Sequence, residues 1–150
     1  MARDPSGLLS ARYYEDFRPG DEYDLGECVV SEAEIVEFAA DWDPQYFHLD
    51  PVTAVDGPFG GIVASGWQIC AAWMRAWDDA VLARAATLGL SEAEDIRWFV
   101  PWRPDQRLLA RAVVLEPAPA AVRVRAEMHT PEGTLASSMV VSTPVAPRPA

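Results

Sequence analysis

The sequence lacks lysine altogether: all 12 of its basic residues are arginine, set against 23 acids, for a net charge of −11. A chain this acidic does not draw a phosphate backbone by its bulk field, so nucleic-acid binding is not expected. Cysteine is scarce, with only Cys28 and Cys70, and neither has a histidine or a second cysteine at ligand spacing. That removes a zinc site, and no other metal or cofactor is implied. Two isolated thiols among apolar residues fit a reduced, cytoplasmic chain better than a disulfide framework. Met1–Ser10 has no apolar run behind positive charge, so no secretory signal is expected. No apolar run is long enough to span a bilayer: the best, Ile62–Met74, is short and stops at Arg75. No membrane partner is expected.

What is present is enough for a core. Half of the 150 residues are apolar, which suits one domain of ordinary size. No repeat or linker divides the chain, so residues 1–150 read as a single domain. The ends, 1–10 and 143–150, read as loose tails; the second carries three prolines in eight residues.

Tyr23–Val30 reads as a strand. Ser31-Glu32-Ala33-Glu34 has the form of a capping box, in which a hydroxyl and a carboxylate satisfy free backbone N–H groups at a helix start. A helix with Ile35, Phe38 and Ala39 on one face follows. It ends at Asp43-Pro44, because proline pushes its predecessor out of the helical region. Gln45–Asp50 reads as irregular and Pro51–Val55 as a helical turn. After a glycine-rich loop, Asp56–Gly61, a helix is predicted from Ile62 to about Leu88, roughly 40 Å long at the usual rise. Its first turns are apolar or small on every side, which predicts burial all round. Strands are predicted at Asp95–Trp102, Gln106–Glu116, Ala121–Thr130 and Thr134–Thr143. The last two are joined by a turn at Pro131-Glu132-Gly133. A helix buried on all sides in a chain this short needs a wrapper. The predicted fold is therefore α+β, a curved antiparallel sheet wrapped around a long central helix.

Three segments carry a resemblance. They are Phe38-Ala39-Ala40-Asp41-Trp42-Asp43-Pro44-Gln45-Tyr46-Phe47-His48-Leu49-Asp50, Phe59-Gly60-Gly61-Ile62-Val63-Ala64-Ser65-Gly66-Trp67, and Ile96-Arg97-Trp98-Phe99-Val100-Pro101-Trp102-Arg103-Pro104-Asp105. In this order they resemble the MaoC-like acyl dehydratases and (R)-specific enoyl-CoA hydratases, a family of the hot-dog fold. The resemblance implies reversible addition of water to a trans-2-enoyl thioester, most often of coenzyme A. It implies an Asp and a His five positions on as the catalytic pair, here Asp43 and His48, and a backbone oxyanion donor at Gly66. It also implies assembly as homodimers or larger oligomers. Ser65, Gly61, Trp67 and Tyr46 are the candidate substrate contacts. The sequence departs from the commonest motif at Gln45, Tyr46, Ser65 and Asp105.

The chemistry is sound on its own terms. Hydration needs a base for the water and an acid for the α-carbon, and one carboxylate and one imidazole sharing a water can divide that work. Negative charge develops on the thioester oxygen, where a backbone N–H at a helix start can stabilise it. Each residue also has a plainer reading. A lone histidine behind two aromatics is ordinarily a packed core residue, and Asp before Pro is a common turn opener. His129 reads as a surface histidine, Asp50 as a cap, and Asp41 as solvated. Arg97 and Arg103 read as solvated arginines before phosphate grips. Two competing functions are a thioester hydrolase on the same fold and a non-catalytic acyl-binding subunit. The predicted helix carries no acid from Ile62 to Trp77, which disfavours hydrolases that place theirs there.

Overall fold

The computed structural model describes residues 12–89, 91–116 and 118–150; the expected loose segment 1–10 lies outside them. Strand β1 (Glu22–Cys28) leads to helix α1 (Glu32–Trp42), the short helices α2 (Tyr46–Leu49) and α3 (Pro51–Ala54), and helix α4 (Gly66–Ala80). Strands β2 (Glu92–Trp98), β3 (Leu108–Val114), β4 (Ala121–His129) and β5 (Leu135–Pro144) complete the chain. They form one antiparallel sheet in the order β1-β3-β4-β5-β2.

The capping box forms as the sequence predicts. Ser31 Oγ accepts from the Glu34 N–H at 3.1 Å, and Glu34 accepts from the Ser31 N–H at 2.7 Å. Ile35 and Ala39 then point into the core, fully buried. Asp43 closes α1 in a non-helical conformation, its N–H bonded to the Ala39 carbonyl.

The long helix is where the sequence misleads. Ile62, Val63 and Ala64 are buried but lie outside any helix, with the Val63 N–H bonded to the Phe47 carbonyl and the Ala64 N–H to that of Trp102. The helix starts only at Gly66, where the Ser65 hydroxyl accepts from the Trp67 N–H. It ends at Ala80, because Val81 leaves the helical region. One apolar run thus spans two elements, and the boundary is a serine cap.

The expected wrapping also needs correction. The sheet is open, neither closed nor strongly curled, and its edge strands β1 and β2 do not meet. A sheet of this shape covers one side of a helix. Accordingly α4 is not buried all round: only Ile69, Trp73 and Trp77, four residues apart, are buried, and Trp67 is 54% exposed. Trp73 and Trp77 stack with ring centroids 5.8 Å apart. The Trp73 indole N–H donates to the Arg111 carbonyl on β3 at 2.9 Å, and Tyr23 of β1 meets Trp77 edge-on. The facing sheet positions Ala110, Ala112 and Ala126 are buried and small, which makes room for two indoles.

At the C-terminus the expected loose tail is corrected in part. Strand β5 runs through Thr143 to Pro144, and Val145 is fully buried.

Candidate active site

Three local features bring the predicted pair together. The end of α1 presents Asp43, the single turn of α2 presents His48, and the non-helical segment before α4 runs past both. The proline after Asp43 stops the helix. The next turn is closed by the His48 N–H on the Gln45 carbonyl at 2.9 Å. His48 Nε2 then stands 3.3 Å from Asp43 Oδ2.

The hydrogen-bond partners define the roles. His48 Nδ1 lies 2.6 Å from the Val63 carbonyl. A carbonyl can only accept, so Nδ1 carries the hydrogen and Nε2 of the neutral ring keeps its lone pair. That lone pair faces a carboxylate oxygen, also an acceptor. A water donating one O–H to each satisfies both. Equally, a proton taken up by Nε2 is stabilised by the adjacent charge. His48 is only 5% exposed, so this geometry is fixed by packing.

Asp43 is held as an anion. Oδ1 accepts from the Gln45 amide at 2.9 Å, and Oδ2 accepts from the Ser65 hydroxyl at 2.7 Å. Burial pushes its carboxyl up, but the hydrogen bonds from Ser65 and Gln45, with His48 beside it, outweigh that and bring it below the ordinary value. Ser65 is completely buried and also caps α4. One hydroxyl thus ties the helix start to the acid.

His48 and Gly66 line one apolar cavity of about 250 Å³, together with Phe47, Phe59, Ile69, Trp98 and neighbours. Gly66 opens α4, so its N–H belongs to the first helical turn, which has no intrahelical acceptor. Among the described residues nothing takes that N–H. Gly66 is needed here for a reason the sequence did not reveal: a methyl built on it would lie under 3.0 Å from three indole atoms of Trp98.

The other candidates are distributed unevenly. Trp67 is outside the cavity lining, half exposed, its ring edge-on to the cavity wall Trp98 with centroids 5.3 Å apart. Tyr46 turns away: its ring covers Gly57 and meets Phe47 edge-on, outside the cavity lining. Gly61 is also outside the lining, at φ +158°. Arg103 donates to the Phe59 carbonyl at 2.7 Å and so fastens the glycine loop, while exposed Arg97 pairs with Asp95. Phe47, Phe59 and Trp98 were not picked out as cavity walls from the sequence. Phe47, centroid 4.6 Å from the His48 ring and edge-on to Phe59, had a signal in its place beside His48.

Comparison with known proteins finds relatives over most of the chain. The profile of the MaoC like domain matches residues 16–136. The protein YdeM of Bacillus subtilis, itself uncharacterised, is 30% identical over 105 residues, covering 70% of this chain and 74% of that protein. Protein MaoC of Klebsiella aerogenes is 30% identical over 102 residues; these cover 67% of this chain but only 30% of that longer protein. The crystal structure of the MaoC-like dehydratase from Rhodospirillum rubrum superposes with a TM-score of 0.77 at 29% identity, over 93% of this chain and all of that one. With that profile spanning most of its length and a relative 30% identical over 70% of it, this chain belongs to the MaoC-like domain family.

Proposed function

We propose that the protein is a hydratase/dehydratase acting reversibly on a trans-2-enoyl thioester, with coenzyme A as the carrier. The observation that carries this reading is the Val63 carbonyl on His48 Nδ1, which leaves Nε2 facing Asp43 while the His48 ring lines an apolar cavity. The likeness to the dehydratase of Rhodospirillum rubrum supports it.

In the hydration direction, water lies between the ionised Asp43 and His48 Nε2. Nε2 takes a proton as the oxygen bonds to the β-carbon. The electron pair of the double bond moves onto the thioester oxygen as an enolate, and the Gly66 N–H stabilises that charge at the positive end of α4. The imidazolium returns its proton to the α-carbon, and the enolate collapses to the thioester carbonyl. Asp43 orients the water and steadies the imidazolium. Ser65 acts through Asp43, and Trp67 braces the cavity wall Trp98. Hydrolysis is the weaker reading, because α4 carries no acid before Asp78.

The same proposal includes a homodimer in the cytoplasm. The exposed aromatics Trp42, Trp67, Trp98 and Phe99 support the dimer, and the two free thiols support the compartment.

The test follows loss of the conjugated thioester absorbance of crotonyl-CoA and longer enoyl-CoAs. Asp43→Asn and His48→Ala are each expected to lower kcat/KM by roughly 10²–10⁴-fold. Release of free thiol without loss of the double bond would replace the hydratase by a hydrolase. Sedimentation velocity tests the dimer.

A further inference from the structure

The space directly over the Gly66 α-carbon is not open to an acyl chain. The Trp98 indole fills it, so closely that even a methyl on Gly66 would collide with the ring. Trp98 belongs to β2, the exposed edge strand, and keeps 43% of its surface in solvent. The ring also meets Trp67 edge-on, itself 54% exposed, and lies beside the Cys70 side chain. Phe59 and Phe99 are also exposed walls, but neither is the ring that meets Gly66. Ile69, Val63 and Ala64 are buried in the core and cannot retreat without breaking its packing. Trp98 is thus the wall that touches the helix start. The cavity it bounds, about 250 Å³, falls below the roughly 300–1,000 Å³ of pockets that enclose drug-sized ligands.

We propose that Trp98 is the specificity-determining residue for acyl length: its indole, seated on Gly66, restricts the site to short acyl groups. This rests on the hydratase reading, which supplies the thioester at Gly66. A chain long enough to need the indole's place has to displace it, losing the contacts with Gly66 and Trp67. Extra methylenes in an apolar pocket change discrimination by roughly 10–200-fold when the wall forbids or admits them, so the effect is measurable.

Two readouts separate this proposal from the reading beneath it. Isothermal calorimetry with butanoyl-CoA and octanoyl-CoA, which carry no double bond to hydrate, measures chain-length preference alone. Hydration of crotonyl-CoA and trans-2-octenoyl-CoA measures turnover. The wild-type protein is expected to prefer the four-carbon thioester in binding. Trp98→Leu is expected to shift the octanoyl-to-butanoyl affinity ratio by about tenfold or more toward octanoyl. Trp98→Phe, which keeps an aromatic ring on the edge strand, is expected to give a smaller shift in the same direction, and it carries the test if the leucine variant does not fold. If the preference shifts but neither substrate is hydrated by the wild-type protein, the hydratase reading fails and the role of Trp98 stands. If hydration occurs but the ratio is the same in all three proteins, Trp98 does not set chain length. A wild-type protein that binds both thioesters equally, or neither, overturns it as well.

Discussion

At the residue scale, the site turns on one hydroxyl. Ser65 donates to Asp43 and accepts from the Trp67 N–H. Its loss has two separable consequences. In Ser65→Ala the Asp43 carboxyl keeps the burial that pushes it up and loses the first of the hydrogen bonds that bring it down. Its titration is therefore expected to move upward, read from the carboxyl carbon by ¹³C NMR; an unmoved titration would mean that Ser65 does not hold the anion. The sign fixes the stability effect too. Because Asp43 is depressed in the folded protein, it contributes stability above its unfolded value, roughly pH 3.9, and that contribution is lost as pH falls through the folded value. The serine variant narrows that window from below. Separately, α4 loses its cap, at a cost of about 1 kcal/mol, or roughly 2–4 °C in Tm for a chain of this size. Glu127 on β4 follows the same sign rule. Burial raises its carboxyl, but Arg125 at 2.5 Å and His129 at 2.8 Å overcome that and hold it below its ordinary value.

At the element scale, helix α4 carries the contrast between an anchoring face and a free one. Trp73 is 1% exposed, stacked on Trp77 and hydrogen-bonded to β3, whereas Trp67 stands mostly outside the core. Trp73→Ala removes a large buried side chain and leaves the sheet alanines facing a void, a loss of about 3–5 kcal/mol. Trp67→Ala is expected to cost less than about 1 kcal/mol. Urea denaturation of the two variants measures both, and equal losses would contradict the one-sided packing. Composition could not separate these tryptophans, since every position in the first turns of α4 except Gln68 is apolar or small. The strands were easier: Val122, Val124, Ala126 and Met128 alternate with charged residues and all four are buried. Asp43 and His48 were legible from their spacing and motif. The cavity walls Phe59 and Trp98 were not, because they come from a loop and an edge strand far apart in sequence. Nor could the sequence show that the sheet stays open. Alternation reports which face of a strand is buried, and it carries no information on how far the sheet curls.

At the scale of the whole molecule, charge and sheet shape bear on each other. An open sheet leaves two edges, and each edge strand here is acidic: Glu22, Asp24 and Glu27 on β1, and Glu92, Glu94 and Asp95 on β2. Unpaired edges are templates for association, and charge on them is a common protection. The arginines that answer them are Arg111 of β3 to Glu22, Arg107 just before β3 to Glu27, and Arg123 of β4, across β5, to Glu94; they leave the molecule strongly negative. At pH 7 the net charge of −11 keeps copies apart beyond specific contacts. That protection disappears toward the isoelectric point near 4.4, and the aromatics Trp98 and Phe99 stand exposed at the end of β2. Light scattering is therefore expected to rise steeply as pH is lowered from 7 toward 4.4. Replacing Glu92 and Glu94 together by glutamine should move the onset to higher pH, because the edge then starts with two fewer charges. Distant acids, such as Asp78 and Asp79 at the end of α4, provide the control: removing two charges there changes the net charge equally but leaves the edge guarded. An onset that moves identically in both pairs would assign the effect to net charge alone and not to the open edge of the sheet.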